Sequence, residues 1–324
     1  MTSDDLTLPR TTGRKARDVA KKGLRRGFEL GQRLGVDVLP RHFYSAVPDI
    51  NELRATTRWR TPRSMIGVAG LESQPQLDTL ASWFTPEVRA ALEATDVHAA
   101  AVVDNRADGY GPSEAAILHA FVATNRPAKV VQVGAGVSTA VVLRAAEVHD
   151  VDVEVVCIDP YPTDFLTELA EAGRITLHRE RAQDIDLEAM TGIGAGDLFF
   201  VDSTHTVKPD SEVNRIVLEV LPRLPKGAFV HFHDIWFPYD YPRDLLDETL
   251  FFWNESALLH AFLIDNVRYE VVASGSSLHY GAQDRLREIV PGYVPDADRD
   301  GLRQSDAPRA HFPGSTYLRV TKDR

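Results

Sequence analysis

Lys129-Val130-Val131-Gln132-Val133-Gly134-Ala135-Gly136-Val137-Ser138-Thr139 is the stretch on which the fold turns. Val130–Val133 reads as a short buried strand. Gly134 and Gly136 then bend the chain, and a helix starts near Ser138. A second apolar run, Val153–Ile158, closes on Asp159. Strand, glycine bend, helix and an acidic residue at the next strand tip build a pocket for a nucleoside. The glycines let the backbone approach the ligand, and the carboxylate accepts hydrogen bonds from a ribose diol.

Outward from this unit the pattern repeats. Further strands are predicted at Ile175–His178, Leu198–Val201, Phe229–His233 and Tyr269–Ala273, with Thr316–Val320 inserted antiparallel as the last. Helices are predicted over Asp164–Ala172, Leu187–Met190, Ser211–Leu221 and Leu245–Leu263. Short, nearly all-apolar strands alternating with helices belong to a parallel sheet covered on both faces. The fold class is therefore α/β: a Rossmann-like doubly wound sheet, seven strands with an antiparallel last strand, plus an N-terminal helical and irregular cap.

Upstream, residues 76–95 have helical spacing and 104–112 are rich in turn formers. Ser113 is placed to cap a helix running to about Thr124, with Glu114 in its first turn. Residues 36–64, with His42-Phe43-Tyr44-Ser45, read as an irregular collar near the active site. The polar, proline-rich 291–313 reads as a surface excursion. Residues 10–33 carry Arg10, Arg14, Lys15, Arg17, Lys21, Lys22, Arg25, Arg26 and Arg33. This stretch reads first as a solvated helix or loose arm, since Gly23, Gly27 and Gly31 weaken a helix. Its other reading is a basic amphipathic helix in weak contact with an acidic membrane surface. The expected division is a basic arm over 1–35, a cap with helices over 36–125 and a cofactor-binding domain over 126–324.

With 324 residues, 44% of them hydrophobic and 26% charged, the chain has ample core for a globular protein. A net charge of −11 argues against a nucleic-acid partner. Cys157 stands alone, so no intramolecular disulfide forms. No apolar run approaches bilayer length, and Met1-Thr2-Ser3-Asp4-Asp5 lacks the features of an export signal. A cytoplasmic enzyme is expected.

At the third position of the dinucleotide fingerprint, where a small residue allows close helix packing, stands Thr139. That departure turns the reading from nicotinamide cofactors towards S-adenosylmethionine (SAM). The methionyl carboxylate of SAM suits the helix N-terminus at Ser138 and Thr139. The expected cofactor contacts are Gly134, Ala135, Gly136, Ser138, Thr139 and Asp159, with Gln183 and Asp184 meeting the adenine edge. A nicotinamide-dependent oxidoreductase and a non-catalytic nucleoside-binding protein are the competing readings.

Two further strand ends carry chemistry. The fourth predicted strand leads into Asp202-Ser203-Thr204-His205, and the fifth ends His231-Phe232-His233-Asp234. In an open α/β sheet, ligands bind outside the carboxyl ends of the strands, so these groups meet on one rim beside the nucleoside. Asp202, His233 and Asp234 form a candidate set for a divalent metal, which would lower the pKa of an acceptor hydroxyl. Without metal, His205 or His233 serves as general base, oriented by Asp202 or Asp234. His231, alternating with Phe232, reads as a satisfied core histidine. The aromatic segment Trp236-Phe237-Pro238-Tyr239-Asp240-Tyr241, with Phe251-Phe252-Trp253, has two readings: an acceptor pocket or lid, and a packing collar or dimer contact.

These segments resemble the class I SAM-dependent methyltransferases, and within them a bacterial small-molecule subgroup. The resemblance rests on Pro40–Ser45, Gly109-Tyr110-Gly111-Pro112, Val133–Thr139, Cys157–Pro162, Val201–His205 and His231–Ile235. It runs on through Trp253-Asn254-Glu255 to Gly314–Val320, covers most of residues 38–321 and omits the basic arm. It implies a seven-stranded sheet and SAM at Gly134, Gly136 and Asp159. In the metal-dependent members, an Asp after the fourth strand and an Asp-Asn pair after the fifth hold Mg²⁺. Asp202 matches the first position, while His233 and Asp234 fall on the pair. The ligand set thus departs from the Mg²⁺ pattern, and a metal-free histidine mechanism stays open. The expectation is methyl transfer from SAM to a small molecule, foremost to oxygen, with His205, His233 and Asp202 as catalytic residues.

Overall fold

The computed structural model describes residues 12–39, 41, 43–294 and 312–323, with the backbone alone for 12–20, 244 and 247. Two compact units divide between Leu53 and Arg54. In the first, the basic stretch forms the helix Thr12–Arg33, on which Leu24 and Leu30 are exposed. A helix is common to the solvated and the membrane-surface readings of this stretch. Arg10, Pro40 and His42 lie outside the described residues, as does most of the 291–313 segment.

The second unit is organised by one sheet of seven strands: β1 (Lys129–Val133), β2 (Glu154–Ile158), β3 (Thr176–His178), β4 (Leu198–Val201), β5 (Phe229–Phe232), β6 (Tyr269–Ser274) and β7 (Thr316–Val320). Their order is β3-β2-β1-β4-β5-β7-β6. β1 to β5 run parallel, and β7 enters antiparallel between β5 and β6. Successive residues of β1 face opposite cores. Val130 packs in one with Phe121 and Val141, while Val131 and Val133 pack in the other with Phe199 and Val217. Both faces are covered, which is why the central strands β1, β2 and β4 are mostly apolar. Each such side chain contributes about 1.5–3 kcal/mol of burial.

Gln132 is the polar exception in β1, fully buried. Its Nε2 donates to Ser138 Oγ at 3.0 Å, and its Oε1 accepts from Thr139 Oγ1 at 2.8 Å. The strand is thereby pinned to the first turn of the helix Val137–Val148.

Several boundaries differ from the sequence reading, each for a local reason. The 76–95 stretch is two helices, Ser73–Trp83 and Pro86–Ala94, because Thr85 caps the second and Pro86 opens it. Gly111, not Ser113, sits at the N-cap of the helix Pro112–Asn125, where its N–H donates to Glu114 Oε2 at 3.2 Å. The helix expected over Leu245–Leu263 is two, Arg243–Asp247 and Glu255–Leu263. The break arises because the N–H groups of Asn254 and Glu255 both donate to the carbonyl of His205, at 2.9 and 3.1 Å. The helix from Glu212 continues through Pro222 to Arg223 in wider and tighter turns. Arg268 donates to Pro222 O in its last turn and to Leu224 O just beyond its end. β5 stops one residue early, since Asp234 turns into the left-handed region at φ 55°. Among the described residues, three α-helices escaped the sequence reading: Ile50–Ala55, inside the stretch read as irregular, Val97–Asn105, capped by Asp96, and Gly275–Ile289, capped by Ser274.

Candidate active site

β1 and β4 are the neighbours from which the sheet is wound in opposite directions, and the crevice opens outside their carboxyl ends. A cavity of about 510 Å³ lies there. Gly134, Asp159, Gln183, Asp202 and Ser203 are among the residues that line it. Its volume suits a nucleoside-sized ligand.

Gly134 makes the bend possible. Its φ is +78°, and a Cβ there would stand 1.7 Å from Asp202 O. Asp202 N in turn donates to Val133 O at 2.8 Å, so the ends of β1 and β4 are locked together at the bend. Asp159 lies against it: Oδ2 accepts from Ala135 N at 3.3 Å and Oδ1 from Tyr161 N at 2.8 Å. Each carboxylate oxygen keeps acceptor capacity for a ribose diol. Ser203 Oγ, buried without a hydrogen-bond partner, is a further polar group on the cavity wall.

The expected cofactor residues separate into two groups. Gly134, Asp159 and Gln183 line the cavity. Ser138 and Thr139 are buried behind the bend, with their hydroxyls turned to Gln132, so what they offer a ligand is backbone. Gly136 rests on Asn105, whose Nδ2 would lie 3.1 Å from an added Cβ. Asp184 is exposed and paired with Arg181 at 2.6 Å. Cys157 is buried beneath, its thiol pushed up to about 12 by burial.

On the same rim, next to the cofactor crevice, the histidines converge. His233 Nδ1 lies 3.2 Å from Asp202 Oδ1, and His205 Nε2 lies 3.5 Å from the same oxygen. Asp234 Oδ2 stands 3.7 Å from both of those ring nitrogens. The opposite nitrogen of each ring faces a fully buried carboxylate. His205 Nδ1 meets Glu255 Oε2 at 2.8 Å, and His233 Nε2 meets Glu114 Oε2 at 3.3 Å. His205 and Asp234 both hold left-handed backbone conformations, at φ 54° and 55°. Non-glycine residues take that region at a cost, and such strain gathers at functional sites.

Electrostatics follow from the packing. Burial alone would lower the pKa of His205, but the bonds to Asp202 and Glu255 and the charge of Asp234 raise it to about 10. Burial also works against the charged form of His233, and Asp234, Asp202 and Glu114 together raise its pKa. Asp202 feels burial pushing its carboxyl up, yet the two imidazoles hold it below the usual carboxylate range. His231 differs. It stacks on Phe200 at 4.2 Å, bonds Tyr110 and Ser315, and is held down to about 3 by burial and by the charge of His233. It is a core histidine, as the sequence suggested, but only Nε2 is satisfied: Nδ1 is buried without a hydrogen-bond partner.

Four partners of this site were not assigned to it from sequence. Glu114, Tyr110 and Ser315 form a buried chain behind His233 and His231, with Ser315 Oγ donating to Glu114 Oε1 at 2.7 Å. Glu255 is the fourth. The aromatic segments differ in burial and contacts. Trp236, Phe237 and Tyr241 are buried as a collar, whereas Trp253 and Phe251 stack on each other, and Trp253 lies 4.6 Å from the His205 ring.

Residues 131–235 match the profile of a family described as "Methyltransferase domain". Over 169 residues the chain is 26% identical to an uncharacterized protein of Archaeoglobus fulgidus, covering 50% of this chain and 76% of that one. Among solved structures, the SAH-bound Podospora anserina methyltransferase PaMTH1 is 14% identical at a TM-score of 0.42, covering 74% of this chain and 97% of that one. The plantazolicin methyltransferase BamL, in complex with a triazolic desmethylPZN analog and SAH, is 13% identical at 0.37, covering 78% and 98%. At these scores the structural likenesses carry no weight beside the match at 131–235. That match runs from within β1 through β5 and includes the bend at Gly134, so the stretch similar to a methyltransferase domain is the part of the sheet that holds the crevice.

Proposed function

We propose that the protein transfers the methyl group of SAM to an oxygen of a small molecule, with Asp202, His205 and His233 at the acceptor. One observation carries this reading. Asp202 closes the cofactor bend with its backbone and meets His233 with its carboxylate, so one residue joins the cofactor crevice to the histidine rim. The sulfonium of SAM is reactive in itself, and the protein's task is to align acceptor, methyl and sulfur. Gly134 and Asp159 fix the adenosyl end. A hydroxyl acceptor must also lose its proton, and the rim gathers imidazoles and carboxylates where that proton would go.

Asp202, His205 and His233 each turn one donor atom to a common point, all within 4.8 Å of one another. Two imidazoles and a carboxylate, buried or half-buried, fit a divalent ion. Asp234, expected as the third ligand, stands 3.7 Å from either ring nitrogen. A metal here would act as Lewis acid on the acceptor oxygen.

The test pairs SAM calorimetry with mass spectrometry of small-molecule acceptors. The Asp202→Ala/His233→Ala double variant is expected to lose turnover while keeping most of its SAM affinity. Full activity in that variant, or products methylated on nitrogen, would overturn the reading.

A further inference from the structure

We propose that the basic helix Thr12–Arg33, with the tail that follows it to Leu39, is a docking surface for an anionic lipid bilayer and lies in the plane of the headgroups. The inference is independent of the chemistry at the histidine rim.

Thr12–Arg33 carries eight Lys or Arg residues against two acidic ones, in a chain whose net charge is −11. At about 3.6 residues per turn, the described side chains from Lys21 onward divide into two halves. Lys21, Lys22, Arg25, Arg26, Glu29 and Arg33 fall on one half of the helix. Leu24, Phe28 and Leu30 fall on the other, with Gly23, Gly27 and Gly31 among them. No charged residue of this stretch interrupts the apolar half. Arg25 pairs with Glu29 at 2.7 Å, so the one acidic residue is taken up within the charged half, which stays cationic.

The tail enlarges the apolar half. Gly35, at φ +76°, turns the chain back on the helix. Val36 N–H donates to Gly31 O at 2.9 Å and Gly35 N–H to Gln32 O at 3.1 Å, the usual closure of a helix end. Val36 O then stands 2.6 Å from the position of a Gly31 Cβ, and Val38 lies alongside it. Leu24, Leu30, Leu34, Val36, Val38 and Leu39 are each more than half exposed. Apolar side chains gathered beside a cationic face are costly to leave in water, and a lipid–water boundary accepts both.

Charge decides the occupant. In an anionic bilayer the acyl chains receive the leucines and valines, while the phosphates meet the lysines and arginines. Among the described residues no helix is long and apolar enough to cross a membrane, so this one would lie on the surface. A second copy of the chain, packed along Gly23, Gly27 and Gly31, is the competing occupant. Val36 already fills the space over Gly31, and helices paired on their apolar halves would leave the basic half unused.

The test sediments the full chain with two kinds of vesicle: phosphatidylcholine alone, and phosphatidylcholine mixed in equal parts with phosphatidylglycerol. Binding to the mixed vesicles is expected to be at least about 10-fold tighter and to fall as salt is raised. Leu24→Ala/Leu30→Ala keeps every charge and favours the helix, and it is expected to weaken that binding at least about 10-fold. Lys22→Gln/Arg26→Gln keeps the apolar half, and it is expected to lower the preference for the mixed vesicles about 10-fold. Thermal unfolding of both variants is expected to match that of the parent chain. No sedimentation with the mixed vesicles, equal binding to both kinds, or undiminished binding of the leucine variant overturns the proposal. A dimer seen by light scattering without lipid, and lost in the leucine variant, overturns it too and assigns the face to a second copy.

Discussion

His205 Nδ1 lies 2.8 Å from Glu255 Oε2, across fifty positions of sequence, and neither side chain reaches solvent appreciably. The contact is made by the backbone as well, because the carbonyl of His205 accepts from the N–H groups of Asn254 and Glu255. The break in the helix and the placing of the imidazole are therefore one event. Cutting the side-chain half of this link should be costly. Glu255→Ala leaves a buried imidazole facing Asp202 and Asp234 without its anchor, and breaking a buried pair costs about 3–5 kcal/mol. Glu255→Gln keeps the shape and a hydrogen-bonding oxygen, so its loss should be smaller. Urea unfolding of the two variants checks the order, and equal losses would show that packing, not the pair, holds the loop.

Asp159 is expected to be the main handle on the cofactor. It touches the bend through Ala135 N and the next loop through Tyr161 N, with lone pairs left for two ribose hydroxyls. Hydrogen bonds to a charged group contribute about 1.5–3 kcal/mol each. Asp159→Ala should then weaken SAM about 100-fold or more by calorimetry, with thermal stability changed far less. An affinity within a few-fold of the original would move the ribose elsewhere.

Gly134 faces two independent obstacles to any side chain. Its φ of +78° disfavours L residues, and Asp202 O occupies the position of a Cβ. Gly173, with φ +70° and open space around it, is the matched control for the conformational part. Gly173→Ala should cost about 1–2 kcal/mol. Gly134→Ala should cost on the order of 3 kcal/mol or more, because the ends of β1 and β4 must separate. Its SAM binding should be lost as well. Equal unfolding free energies for the two variants would mean that the bend is not constrained by Asp202.

The sheet was legible because its strands advertise themselves. Val130–Val133, Val153–Ile158 and Leu198–Val201 carry apolar residues on both faces, with Gln132 and Glu154 the exceptions, and a parallel sheet covered on both sides accepts that. Asp159, Asp202 and His233 were legible because a polar residue directly after such a run must fall on the carboxyl rim. Glu114 and Glu255 carried no such mark. Each sits in the first turn of a helix, where an acidic residue already has a local reason to be. Their second role depends on which strand end the helix meets, and local pattern does not encode that. The helix Val97–Asn105 was hidden differently: its Ala- and Val-rich body has no clear apolar stripe, and the turn formers just after it drew the boundary too early.

Away from the rim, a histidine pair gives the fold its own pH response. His119 Nε2 lies 3.0 Å from His149 Nε2. Burial, and after it the charge of His149, hold His119 down to about 4. Burial, and after it the charge of Arg126, lower the pKa of His149, while Glu87 opposes them. The unfolded chain binds the His119 proton near pH 6.5, and the folded chain only near 4. The stabilising contribution is therefore complete above about pH 6.5 and is lost progressively as the pH falls towards 4. Between about pH 7.5 and about pH 5 the loss from His119 alone should be about 2 kcal/mol. Urea unfolding at the two pH values measures it. His119→Gln has no ring to protonate, so its stability should fall by about 2 kcal/mol less over the same interval. The same fall in both proteins would place the acid sensitivity elsewhere in the fold.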